Sequence, residues 1–196
     1  MLRSLRSALA RFCVRRAAAC QRHAPRRALT WLRLGCTLTP AFAEPYSAFV
    51  HLSRALEDRW GAVTAAREAS VRFPDNSDAW MLLGDALQMV FRQQEALGSF
   101  EQALALEERA DAAMAAGALY HRAGQFADAA ARFARAYAAG GGAEALWQNA
   151  QALFQAGDDG AAEEALNLWA TQVPNGHDRL AEARAQLRGG GRGAKA

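Results

Sequence analysis

Apolar residues along most of this chain recur at three- and four-residue intervals, the spacing of a buried helical face. That pattern itself repeats every 33 or 34 residues. From Ser77 the chain reads SDAWMLLGDALQMVFRQQEALGSFEQALALEERA, with Trp80, Leu83, Gly84, Leu87, Ala96, Phe100 and Ala103 in fixed register. Thirty-three residues on stand Gly117, Tyr120, Gly124, Ala129, Phe133 and Ala136; a further 33 gives Ala150, Leu153, Gly157, Ala162, Leu166 and Pro174. Stepping back 34 gives Tyr46, Phe49, Ala62, Ala69 and Pro74, with Val50 at the glycine position and Ala66 at the aromatic one. The pattern predicts units over about 43–76, 77–109, 110–142 and 143–176, each two antiparallel helices joined by a tight turn. Small residues mark where the helices approach closely, large ones fill between, and Gly124 and Gly157 suit left-handed helix ends. In the stretch 178–188, Leu180, Ala183 and Leu187 share one face, which predicts a capping helix. Residues 189–196, GGGRGAKA, read as a flexible tail. The run Gly140–Gly142 predicts a looser joint before the fourth unit.

These residues and their spacing resemble the tetratricopeptide repeat (TPR) superfamily. The resemblance covers about 134 of 196 residues. It implies an all-α, right-handed superhelical solenoid of about four helix-turn-helix units with a C-terminal capping helix. Units of this kind bury their apolar sides only by stacking. The resemblance also implies a concave groove lined by the first helix of each unit. Its ligand-facing positions fall on His51, Arg54, Met81, Asp85, Gln88, Met114, Ala118, His121, Arg122, Trp147 and Gln151. Further such positions are Glu44, Ser47, Ala55, Asp78, Met89, Asp111, Glu144, Phe154 and Gln155. The subclass that grips chaperone tails does so with Lys and Asn. Here Ser47, His51 and Asp111 stand at those places, and an Asp repels a terminal carboxylate. No chaperone-tail clamp is expected. The soft and aromatic groups Met81, Met89, Met114, Trp147 and Phe154 suit an apolar peptide or a helix.

Composition divides the chain. Apolar residues make up 52%, which excludes a disordered chain. The net charge of +3 conceals two parts. Residues 1–43 carry nine arginines and no acid; residues 44–196 carry the other 14 basic groups against all 20 acidic ones, a net −6. An acidic body argues against nucleic-acid binding. The basic segment reads as a targeting leader, cleaved in the mature chain. Leu2, Leu5, Leu9 and Phe12 share one helical face and Arg3, Arg6, Arg11 and Arg15 lie mostly opposite, which resembles a mitochondrial presequence. Alternatively, Ala41-Phe42-Ala43 before Glu44 resembles a secretory cleavage site, cut after Ala43, which would send a bacterial protein to the periplasm. A plastid address or an uncleaved basic arm are further readings. No apolar run is long enough for a transmembrane helix.

Chemistry is sparse. Cys13, Cys20 and Cys36 all lie in the leader, so the body has no thiol for zinc, a disulfide or nucleophilic catalysis. His23, His51, His121 and His177 have no pairing at metal-ligand spacing. Asp158 and Asp159 read as helix caps. No phosphate loop or nucleophile elbow is present. The expectation is a non-catalytic adaptor or assembly scaffold without cofactor or metal, a subunit of a larger complex, in an organelle. An exported bacterial protein of envelope assembly is the alternative. An enzyme whose activity would respond to His51 or His121 is a second alternative, and self-association through the degenerate first unit a third.

Overall fold

A computed structural model of the chain describes residues 2–39 and 44–191. Among these, eleven helices follow one another: α1 (Leu2–Cys20), α2 (Pro25–Leu38), α3 (Glu44–Ala55), α4 (Arg59–Arg72), α5 (Ser77–Met89), α6 (Gln93–Leu106), α7 (Ala110–Arg122), α8 (Phe126–Ala138), α9 (Gly142–Ala156), α10 (Asp159–Gln172) and α11 (Gly176–Gly191). The fold is all-α, five helical pairs and a capping helix, with successive helices packed within each unit as in TPR repeats. Two compact units divide it, residues 1–106 and 107–196.

The seam within each pair is a small residue against a large one. Phe100 of α6 and Phe133 of α8 are fully buried, and each ring lies over a glycine, Gly84 of α5 and Gly117 of α7. In the fourth repeat the partners are Ala150 and Leu166, buried in one cluster. In the first repeat the corresponding positions are Val50 of α3 and Ala66 of α4, and both are buried.

The turns obey the repeat as closely as the core does. Residues 57, 91, 124 and 157 all have positive φ, from 59° to 86°. Two of them are glycine; the other two are Glu57 and Phe91, which tolerate the left-handed conformation poorly. The starts of α4, α5 and α10 are capped by side chains: Asp58 accepts from the Gly61 amide at 2.9 Å, Asn76 from Ala79 at 3.0 Å and Asp158 from Ala161 at 3.1 Å. Trp80 donates its indole N–H to the Pro74 carbonyl at 2.7 Å, tying α5 to the loop before it.

The glycine run 140–142 is a stereochemical requirement of the turn. Gly140 and Gly142 have positive φ, and a Cβ on Gly141 would meet the Ala136 carbonyl oxygen at 2.8 Å. Across that turn, Asn149 of α9 donates to the Ala130 carbonyl of α8 at 2.7 Å in the interior. Helix α11 begins earlier and ends later than the expected 178–188. Ala183 and Leu187 are buried and Leu180 is half-buried, all against the α9–α10 cluster. Of the expected tail, residues 192–196 lie outside the described residues.

Residues 2–39 are folded onto the first repeat. Ala10, Cys13 and Ala17 of α1 and Ala28, Leu32 and Cys36 of α2 are buried. Gly35 sits where a Cβ would be 3.2 Å from Pro45 of α3 and 3.4 Å from Cys13 of α1. The open carbonyls at the end of α2 are gathered by Arg72 of α4, whose guanidinium donates to Cys36 (2.6 Å), Thr39 (2.8 Å) and Thr37 (3.4 Å) and to the Tyr46 hydroxyl (3.2 Å). A cation there satisfies orphan carbonyls and meets the negative end of the helix dipole. The small-residue site Ala41–Ala43 lies outside the described residues.

Candidate partner-binding surface

Helices α5, α7 and α9 turn Gly84, Gly117 and Ala150 to their own B helices, and α3 buries Val50 at the same position, which leaves another face of each A helix outward. All twenty positions that the repeat register assigns to ligand contact are exposed or half-buried; none is buried.

In the N-terminal unit, His51 and Arg54 are exposed on α3, as is Asp85 on α5, with Met81 and Gln88 half-buried beside it. In the C-terminal unit, Ala118 and Arg122 of α7 are exposed. Met114 packs its inner side on Ala129, Ala130, Phe133 and Ala152. The half-buried His121 sets its ring edge-on to Phe126, centroids 5.3 Å apart, and its Nε2 is enclosed without a hydrogen-bond partner. Gln151 is half-buried on α9, and Oε1 of Gln155, one turn on, is likewise enclosed without a partner.

Trp147 stands apart from this series. Its ring lies 5.3 Å from Trp169 of α10, tilted by 49°, and borders a cavity of about 250 Å³ shared with Glu144 and with Arg179, Glu182 and Gln186 of α11. The Arg179 guanidinium sits 5.8 Å from the Trp169 ring centre. By repeat register Trp147 falls among the groove residues, and nothing in that register points to these neighbours. Their signal was the apolar face of 178–188, which lays α11 over α9 and α10.

At the chaperone-clamp position, Asp111 is held by Arg109 through two bonds of 3.0 and 2.8 Å and accepts the Ala112 amide at 2.8 Å. The Arg109 hydrogen bonds keep this carboxyl below the usual carboxylate range, though partial burial opposes them. The position therefore presents negative charge. Ser47 turns its hydroxyl back to the Glu44 carbonyl at 3.1 Å.

A feature absent from the repeat reading lies on the far side of α9. Leu146, Asn149, Leu153 and Ala156 floor a cavity of about 520 Å³ walled by alanines of α8 and by Ala161, Ala165 and Leu168 of α10. At 100° per residue this face is turned well away from Trp147, Gln151 and Phe154. A smaller cavity of about 140 Å³ occupies the same register in the first repeat, around Tyr46, Phe49, Gly61, Thr64, Ala65 and Glu68. Each of those six numbers is 100 below a residue lining the larger one. The packing of α2 and α4 on α3 thus repeats that of α8 and α10 on α9.

Among the described residues, no three His, Cys, Asp or Glu side chains stand together as a metal site would need, and no helix is long and apolar enough to cross a membrane.

No protein-family model and no curated protein matches the sequence. Solved structures do. The MamA protein matches with a TM-score of 0.69 at 16% identity, over 89% of this chain and 94% of that one. YrrB, described as a TPR protein with an unusual peptide-binding site, matches with a TM-score of 0.64 at 19% identity, over 88% and 90%. PilF of Pseudomonas aeruginosa matches with a TM-score of 0.67 at 17% identity, over 94% and 89%. A share of 94% cannot be reached without the basic hairpin. Identities this low show the fold alone, and that fold is the TPR fold.

Proposed function

We propose that this TPR chain is a non-catalytic adaptor or assembly scaffold that holds a partner protein or helix against its A-helix faces. Proteins of this fold generally mediate protein–protein interaction. The observation that supports the reading here is the sorting of side chains on the A helices. Small residues are spent on the intra-repeat seam, while methionines, a tryptophan and polar groups remain at the surface. Soft apolar groups mixed with hydrogen-bonding ones fit an amphipathic helix, and Trp147 beside its cavity is the natural anchor. The ionised Asp111 favours a partner that brings cationic or neutral groups to α7.

Photo-crosslinking tests this. A benzophenone amino acid at Met81, Met114 or Gln151 is expected to capture one partner in the native cells, and Trp147→Ala to weaken that capture. The same probe at Val71 or Leu168, exposed on B helices, is expected to capture nothing comparable. Equal capture from both sets, or none from the A helices, overturns the reading.

The compartment is proposed from residues 1–43: the mitochondrion, with the bacterial envelope as the alternative. Cleavage after Ala43 would remove α1 and α2, take three carbonyl partners from Arg72 and open the surface around Tyr46. We therefore propose that the hairpin stays on the working protein. Recovery of a mature chain that begins at Glu44 would overturn that part alone.

A further inference from the structure

The α1–α2 hairpin buries the small residues of α1. Its interior seam is the small series Ala10, Cys13 and Ala17, which lets α2 approach closely. The large apolar residues of α1 point elsewhere: Leu5, Leu9 and Phe12 are 58%, 42% and 50% exposed. At 100° per residue these three fall within a sector of roughly 60°. Phe12 meets Trp31 of α2 edge-on, centroids 6.1 Å apart, and Leu34 is exposed on that helix too. One apolar surface therefore runs across both helices.

Charge frames that surface with a single sign. Arg6, Arg11, Arg15 and Arg16 on α1 and Arg26, Arg27 and Arg33 on α2 are all exposed, and Arg16 reaches over Trp31 with 5.8 Å to its ring centre. Residues 2–39 hold no carboxylate to oppose them. A helix with leucine and phenylalanine on one side and arginine around it is matched by a surface that offers hydrocarbon beneath negative charge. Arginine stems lie along apolar material while their heads stay at its polar edge.

We propose that this face docks the protein on a lipid bilayer bearing anionic headgroups, with α1 lying in the interface plane. Helix α1, at 19 residues, is about 28 Å long. Its leucines and Phe12 enter the headgroup region, to a depth of about 5–10 Å. The arginines bind headgroup phosphates. Docking is superficial, since no described helix can span the membrane. It is independent of what occupies the A-helix faces.

The test is flotation of the full-length protein with phosphatidylcholine vesicles, with and without a third of phosphatidylglycerol. The protein is expected to float with the anionic vesicles and not with the neutral ones, and to be released by salt. Leu5→Ser, at an exposed position that leaves the hairpin seam intact, is expected to weaken partition at least about tenfold. A triple R6Q/R11Q/R15Q variant should lose the preference for anionic lipid. Circular dichroism checks that both variants keep their helices, and Leu168→Ser, a comparable apolar loss at an exposed position of α10, should float as the parent does. No binding to anionic vesicles, binding indifferent to lipid charge, or binding unchanged by Leu5→Ser would overturn the proposal. So would salt-sensitive binding to RNA or duplex DNA as strong as that to vesicles, or a dimer in solution that Leu5→Ser abolishes.

Discussion

Replacing Gly84 by alanine isolates the seam on which the repeat depends. In an exposed helix interior, Gly→Ala stabilises by about 0.5–1 kcal/mol, because glycine loses more backbone entropy on folding. At Gly84 the new methyl would collide with Cε1 of Phe100, with Cδ1 and Cζ both at 2.7 Å. The ring is completely buried, so it has no open side to move into. Overpacking of this kind costs about 1–3 kcal/mol, and a rigid aromatic ring belongs in the upper half of that range. The net expectation for Gly84→Ala is a loss of about 1–2 kcal/mol. Gly98, in α6 of the same unit, has nothing within 4 Å of its would-be Cβ. There only the gain applies, so Gly98→Ala should stabilise by about 0.5–1 kcal/mol. Urea unfolding followed by helical circular dichroism measures both variants, and an unchanged slope shows that midpoints can be compared. Adding Phe100→Leu to Gly84→Ala should recover part of the loss, since the two changes share a contact. Equal stability for Gly84→Ala and Gly98→Ala would refute the seam. Gly117, with Phe133 Cε1 2.7 Å from its would-be Cβ, offers the same comparison in the second unit.

Four further outcomes follow from particular groups. Burial pushes the Cys36 thiol up to about 12, and Cys13 is raised by burial as well, whereas Cys20 is half-exposed. Ellman's reagent on the native protein at pH 8 should therefore modify Cys20 first and the other two only on unfolding; equal rates would show that the hairpin is not docked. The neutral Cys36 thiol favours the fold below its ordinary value of 9, and this contribution should fade as pH rises from about 9 toward 12, seen as alkaline loss of stability. Phe91→Gly at φ 60° should stabilise by about 1 kcal/mol in urea unfolding by removing left-handed strain, while Gly124→Ala and Gly157→Ala should destabilise by a similar amount. Asp111, lowered by Arg109, supports α7 above its ordinary titration range and loses that support as pH falls through its depressed folded value. Arg109→Gln should shift the titration upward toward the usual carboxylate range, read by NMR.

The repeat register was legible because it is set by distances that stay constant from unit to unit. A helix pair of fixed length needs a small residue opposite a large one, and a left-handed residue at the turn. Gly84 with Phe100, Gly117 with Phe133 and Ala150 with Leu166 therefore recur at about 33 residues, and so do the positive-φ sites. The ligand-facing A-helix positions came from the family resemblance, and the structure leaves all twenty of them exposed or half-buried. Three things were decided only when the helices met. Val50 and Ala66 look like two faults in the pattern, yet both are buried as their counterparts are. Trp147 falls at a groove position by register, yet it borders a cavity with α11, an element outside the repeat.

The basic segment shows the difference most plainly. Its sequence marks an apolar face of large residues and a charge of one sign, which reads as a targeting leader and leaves open which side of the helix packs. Tertiary packing chose the alanine and cysteine seam, since two helices approach more closely over small side chains, and Arg72 fixed the end of α2 from 33 residues away. Hydrophobicity along one helix tells which side dislikes water. Which side is covered depends on the shape and charge of the surface that covers it, and only the folded chain supplies that surface.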